Sequence, residues 1–506
     1  MNTAAPMLQV ARTYDQLKLD VQHSETAIRL LLGRYERSSA FAAWSGLYRS
    51  IEELINLPFA LRESLALLRT LLGLDMIQLD VQGLRRLALD LEARFGTAQR
   101  DRFMMAFLQF SAVAMHALPS LVGRDGVPRN VGQLIGFLQA HRRHFLAVGY
   151  LIPRYCTGSI SVLPQDGLNI ILPIVAGNGP QVTGAQHETL IKKACDSLGI
   201  TQAEQHELAM LDDLFLEPER LRITEITPPI AGIEMLKSKE QLPIAVFSAQ
   251  ELRNEIIEIE AAYAEFDLSG TEFASVAVLA RALSKHAKDG YNIALAPADF
   301  DEVVARCRPS KRLINELSAD ADDYASSLDR ASPFIFSDGM FRTTVTLVMR
   351  FCYRWRSISL DRGKRYQIRS GFIFEKAVGD ALVSQGFTDL GVKRIQSQEF
   401  DVLMMREGVL WNVQCKNNFT NLATVTSTPA LFASYNKRLV RQYERAISKE
   451  LAREHLLKER FSVDRIYHLV VTRFPVVCAE RRIVPFSRIS AFSTLADQLE
   501  RDKSSK

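Results

Sequence analysis

The stretch Phe400-Asp401-Val402-Leu403-Met404-Met405-Arg406-Glu407-Gly408-Val409-Leu410-Trp411-Asn412-Val413-Gln414-Cys415-Lys416 constrains the fold more than any other part of the chain. Two apolar runs rich in β-formers flank Glu407-Gly408, which reads as a turn between two strands. Side chains alternate along a strand, so Gln414 and Lys416 share one face of the second strand and Cys415 points the other way, into a core. The hairpin carries Asp401, one residue into the first strand, towards the Gln414–Lys416 pair at the end of the second. A carboxylate, an amide and a lysine therefore meet.

The surroundings extend this unit. A helix is expected from about Arg365 to Gln385, with Gly386 as its C-cap. Strands follow near Val392 to Ile395, Phe400 to Met405 and Val409 to Lys416, then one long helix from about Pro429 to Arg460. A buried strand at Arg465 to Thr472 completes an α/β unit with helices on both sides of a mixed sheet. Upstream, apolar residues recur at helical spacing from Arg12 to Leu146, as in Leu84-Arg85-Arg86-Leu87-Ala88-Leu89-Asp90-Leu91. Ser159-Ile160-Ser161-Val162-Leu163 and Asn169-Ile170-Ile171-Leu172 read as a small hairpin. Helical spacing returns from about Ala185 to Ser327, with loops near Thr227-Pro228-Pro229 and Ala296-Pro297. The expected organisation is a helical domain over 1–150, a mixed and mostly helical domain with that small β hairpin over 151–345, and the α/β domain over 346–506.

At 506 residues, with 47% hydrophobic and 24% charged residues, the chain is long enough for several domains with real cores. Its six cysteines are scattered and form no C-x-x-C pair, so neither a structural zinc site nor a disulfide framework is expected. The opening Met1-Asn2-Thr3-Ala4-Ala5-Pro6 has no basic start or apolar run of a signal peptide. Apolar runs such as Leu168 to Val175 are too short to span a bilayer. A cytoplasmic protein with no membrane partner is the expectation. A net charge of +4 is small for this length, but Arg350 to Arg369 holds seven basic residues against one acid.

Phosphodiester hydrolysis requires charge neutralisation at the phosphate and an activated water, which a carboxylate-held divalent metal beside a lysine can supply. Asp401, Gln414 and Lys416 form such a set, and Gly371-Phe372-Ile373-Phe374-Glu375 adds a carboxylate from the preceding helix. Asp401 followed after twelve residues by Gln414-Cys415-Lys416 resembles the core of the PD-(D/E)xK, restriction-endonuclease-like nuclease superfamily. The Gly371–Glu375 segment is similar to the first-helix motif of its Mrr-like branch, where glutamine often replaces the acid before x-K. The resemblance covers about Lys364 to Thr472. It implies a restriction-endonuclease-like domain with Mg2+ or Mn2+ as cofactor. Asp401 would be the principal metal ligand, Gln414 and the Cys415 backbone carbonyl further ligands, and Glu375 a supporting one. Lys416 would orient or activate the attacking water. Phe400 stands where the family name has proline, and Gln414 removes one negative charge from the site.

Basic residues on either side of the motif suit phosphate contacts: Arg362, Lys364, Arg365 and Arg369 before it, Lys437, Arg441 and Arg445 after it. Tyr353, Trp355 and Tyr366 lie within the basic cluster from Arg350 to Arg369, either as stacking platforms for bases or as core residues. The second group reads equally as a solvated helix face. The expected function is a metal-dependent endonuclease acting on DNA, with RNA left open, in prokaryotic genome defence or DNA processing. The N-terminal region would serve targeting, regulation or assembly with a partner or a second copy. Two rivals stand beside it: a catalytically inactive nucleic-acid-binding scaffold, and a nuclease subunit active only within a larger defence complex.

Overall fold

The structure is a computed structural model and describes residues 12–61, 64–78, 80–201, 248–318, 321–328, 330–420 and 422–504. The opening Met1–Pro6 segment and the loop at Thr227-Pro228-Pro229 lie outside the described residues. The chain gathers into two compact units. One comprises Lys18–Gly184 and the described part of Ile226–Leu360; the other comprises the described parts of Met1–Leu17, Ala185–Glu225 and Asp361–Lys506.

Helices dominate the first unit. In α1 (Arg37–Ala60), Phe41, Trp44, Tyr48, Ile51 and Ile55 recur at three- and four-residue intervals and all are buried in its core. Trp44 packs on α2 (Val131–Tyr155), and its indole Nε1 donates to the Phe145 carbonyl at 2.8 Å. Gly149 makes that approach possible, because a Cβ there would lie 2.2 Å from Trp44 Cζ2. The same helices bury charge only in matched form. Glu52 accepts two bonds from Arg142 at 2.6 and 2.5 Å, and Glu53 accepts from Arg49, Arg102 and Gln99. Removing one partner of such a pair leaves a buried charge costing about 3–5 kcal/mol.

Three strands, β1 (Asn292–Leu295), β2 (Ile335–Ser337) and β3 (Met340–Thr344), form an antiparallel sheet in the order β1-β3-β2. Asp338 and Gly339 turn β2 into β3 with φ of 53° and 73°, the left-handed pair that matches strand twist. The hairpin expected at 159–172 is not formed. Gly167–Leu172 is helical, and Ile160 makes only an isolated bridge to Tyr35. A short apolar run such as Ile170-Ile171-Leu172 is compatible with strand or buried helix, and packing chose helix.

The second unit is a mixed sheet between helix layers. It contains α3 (Gly179–Leu198) in its last turns, α4 (Lys364–Val383), α5 (Pro429–Ala452), α6 (Glu454–Phe461) and α7 (Phe492–Ser504). The strands are β4 (Thr388–Asp389), β5 (Arg394–Ile395), β6 (Gln398–Glu399), β7 (Val402–Arg406), β8 (Val409–Lys416), β9 (Ile466–Thr472) and β10 (Ile483–Pro485). The main sheet runs β10-β9-β8-β7-β4, with β8, β9 and β10 parallel and the β7 pairings antiparallel. The expected strand at 392–395 instead pairs with β6 in a separate two-stranded ribbon. Glu407 and Gly408, at φ of 52° and 74°, form the turn between β7 and β8.

Val409, Trp411 and Val413 face a core with Phe374 and Val378 of α4 and Phe492 of α7, while Leu403 and Leu410 pack with Leu457 of α6 on the other side. Phe432, Leu439, Tyr443 and Ile447 of α5 complete a further cluster with Leu190, Ile191 and Ala194 of α3. The long helix expected to Arg460 breaks at Arg453, whose guanidinium is held by Glu450. Among the described residues no helix is long and apolar enough to cross a membrane.

Candidate active site

The β7–β8 register pairs Val402 with Val413, which brings Asp401, the residue before β7, level with Gln414. Asp401 does not swing freely: its Oδ2 accepts the Cys415 backbone N–H at 2.7 Å. Glu375 comes from the middle of α4, and Lys393 ties it to the strand end. The Lys393 Nζ donates to Glu375 Oε2 at 2.9 Å and to the Asp401 backbone carbonyl. Sequence reasoning missed Lys393, which belongs to no spacing pattern; only the fold brings it back to Asp401.

The electrostatics are those of carboxylates held partly out of water. Burial pushes the Asp401 carboxyl above its ordinary range, against the pull of the Cys415 N–H and the Lys416 charge. Burial likewise raises Glu375; the Lys393 bond opposes this and the Asp401 charge adds to it. The Cys415 thiol is driven well up by burial, then by the charges of Asp401 and Glu375, so it is an inert thiol. It packs against the core containing Phe374 and Val413, as alternation requires.

Gln414 and Lys416 occupy the opposite face of β8, both half-buried. Gln414 Oε1 is shielded from solvent and accepts no hydrogen bond. Such an orphaned acceptor is costly and calls for a donor or a cation. Among the described residues no group of three His, Cys, Asp or Glu side chains gathers to hold a metal. The anionic donors here are two, Asp401 and Glu375, with the Gln414 amide oxygen beside them. An all-oxygen set of this kind fits a hard divalent cation rather than zinc or copper.

Behind Gln414 the same face carries a buried polar chain that sequence reasoning did not single out. Asn412 Nδ2 donates to Glu450 Oε2 at 2.7 Å and to His468 Nδ1 at 3.1 Å, and His468 Nε2 donates to Glu454 Oε2 at 3.0 Å. Arg453 closes the chain on Glu450 and lies 4.3 Å over the ring of Phe400, next to Asp401. Polar residues at Asn412 and His468 within apolar strands were its visible signal.

The basic residues divide. Arg362, Lys364, Arg365 and Arg369 are all exposed, as are Arg441 and Arg445 on α5. Lys437 departs from the expected phosphate-contact set: it is half-buried and donates to the Ser197 carbonyl at the end of α3 at 2.7 Å, which satisfies an unpaired helix terminus. Tyr366 is buried against Phe419 and Trp355 is fully buried, so both are core residues and not stacking platforms. No family model, curated protein or solved structure matches the chain.

Proposed function

We propose that the chain is a metal-dependent nuclease hydrolysing phosphodiester bonds in DNA, with its active site at Asp401, Gln414, Lys416 and Glu375, in the manner of the PD-(D/E)xK nucleases. The observation that carries this reading is the unpartnered, buried Gln414 Oε1 level with a desolvated Asp401. Asp401, Gln414, Glu375 and the Cys415 carbonyl would hold Mg2+ or Mn2+. A bound divalent ion supplies charge neutralisation at the phosphate and lowers the pKa of a water.

The chain's own residues do the rest. The Cys415 N–H orients Asp401, and charge held in a partly buried position acts more strongly than in water. Lys416, with no ion pair among the described residues, is available to orient the attacking water and to stabilise charge on the phosphate. Exposed Arg362, Lys364, Arg365, Arg369, Arg441 and Arg445 fit contacts to the phosphate backbone that hold a duplex without reading its sequence. Such an enzyme fits a cytoplasmic role in prokaryotic genome defence or DNA processing.

A second reading, a non-catalytic nucleic-acid-binding protein, is favoured by one observation: Lys393 already neutralises Glu375. The two separate in a cleavage assay on plasmid DNA and on RNA with Mg2+. The nuclease reading expects cleavage that EDTA abolishes and that Lys416→Ala and Asp401→Asn lower by about a hundredfold or more. Equal cleavage by wild type and Lys416→Ala would sink the site. DNA binding that survives EDTA, with no cleavage by any of the proteins, would favour the second reading.

A further inference from the structure

We propose that the helical unit binds a small oxyanionic ligand, whose phosphoryl or carboxylate group sits against Arg342 between α1 and the three-stranded sheet. A cavity of about 270 Å3 lies there, lined by Phe41, Trp44 and Gly46 of α1 and by Asn292, Arg342 and Thr343 of the strands, among others. At about 30 Å3 per water it has room for roughly nine waters, more than a bare phosphate requires. An organic molecule carrying an oxyanion fits.

Arg342 is the single charged residue among the described residues lining this space. Its side chain makes no hydrogen bond or ion pair among the described residues, and its Nε is shielded from solvent without an acceptor. The guanidinium instead lies 5.6 Å from the centre of the Phe41 ring, which holds its plane in place. The contrast within the same unit is informative. Arg49, Arg102 and Arg142 are each matched to Glu52 or Glu53. The Nε atoms of Arg37, Arg330 and Arg356 in this unit also lack an acceptor, but of the four only Arg342 lines the cavity. A planar donor fork with its own acceptor missing is the recognition element for a carboxylate or phosphate.

Gly46 provides a way to test the space apart from the charge, since a Cβ built on it meets nothing within 4 Å. The full chain is titrated calorimetrically with inorganic phosphate, citrate and adenosine monophosphate, which separate a bare oxyanion, a carboxylate and an organic phosphate. At least one is expected to bind saturably, and Arg342→Met and Gly46→Leu are each expected to weaken it by about tenfold or more, the worth of one charge-assisted contact. Arg342→Lys, which keeps charge and loses the fork, falls between. Melting without ligand changes little in Arg342→Met, because that side chain loses no hydrogen bond or ion pair and only its contact with the Phe41 ring. No saturable binding of any of the three probes, or undiminished binding to Arg342→Met, overturns the proposal; if Gly46→Leu fails to fold, Arg342→Met alone decides it.

Discussion

Asp401 shows most plainly what a buried carboxylate costs the molecule that holds it. Burial raises its carboxyl pKa, so the folded state binds a proton more tightly than the unfolded chain does. Above the unfolded value, stability therefore falls as pH rises through the folded one. Asp401→Asn removes the charge and retains an acceptor for the Cys415 N–H. The metal-free variant is expected to be more stable than wild type by about 1 kcal/mol, and so to melt higher. On the proposed reading, Mg2+ raises the melting temperature of wild type and not of the variant. Scanning calorimetry with and without Mg2+ checks both; a variant that melts lower without metal would show that Asp401 is a structural anchor. Lys393 shows the opposite limit of sequence reasoning at this scale. Its role depends on a β5–β6 ribbon returning the chain to Asp401, and no local pattern announces that.

At the scale of elements, legibility followed locality. The β7–β8 hairpin could be read because alternation, apolar runs and Glu407-Gly408 all point the same way over a short span. So could α4, which ends at Val383, shortly before Gly386 turns the chain at φ 87°. The false hairpin at 159–172 arose where an apolar run carried no usable period. The single long helix was read through Arg453 because a helix former stands there, and the buried Glu450 that captures its guanidinium is a tertiary fact. The chain of Asn412, His468 and Glu450 yields a pH dependence of its own. Asn412 donates to His468 Nδ1, which fixes the neutral tautomer, and burial lowers the imidazole pKa although Glu454 pulls it up. The unfolded chain then takes up a proton first, at about pH 6.5. Stability of this unit is present above that pH and is lost as pH falls from it towards the lower folded value. Urea denaturation at pH 7.5 and pH 5.5 should show the loss, and His468→Gln should reduce it; an unchanged difference would place the dependence elsewhere.

At the scale of the whole molecule, the unit carrying the candidate site is discontinuous in sequence. Leu190, Ile191 and Ala194 of α3 pack against Phe432, Leu439 and Tyr443 of α5, and Arg12 pairs with Glu188 at 2.5 Å. Fully burying a leucine or isoleucine contributes about 1.5–3 kcal/mol, so a fragment starting at residue 361 leaves an uncovered apolar face worth several times that. Residues 361–506 alone are expected to self-associate and to melt with less cooperativity than the same unit in the full chain. A peptide spanning 179–201 added in trans should reverse this, as read by light scattering and calorimetry. A monodisperse fragment with an undiminished transition would count against the α3 contact. Nothing in the periodicity of α3 marked it as part of a distant core, because amphipathicity states that a face is covered and not by what.

The topology of the main sheet also has a meaning in time. Strand β8 has one neighbour, β7, reached through a two-residue turn, and another, β9, reached only after α5 and α6. Hairpins close in about 1–10 µs, whereas parallel pairing must wait for a long loop to be ordered. Asp401, Gln414 and Lys416 can thus come into register while the newly made chain still lacks β9 and the helices that dry the site. On that order the three would align in water, where an ionised Asp401 is cheap, and desolvation would come last, when the rest of the sheet is there to hold them.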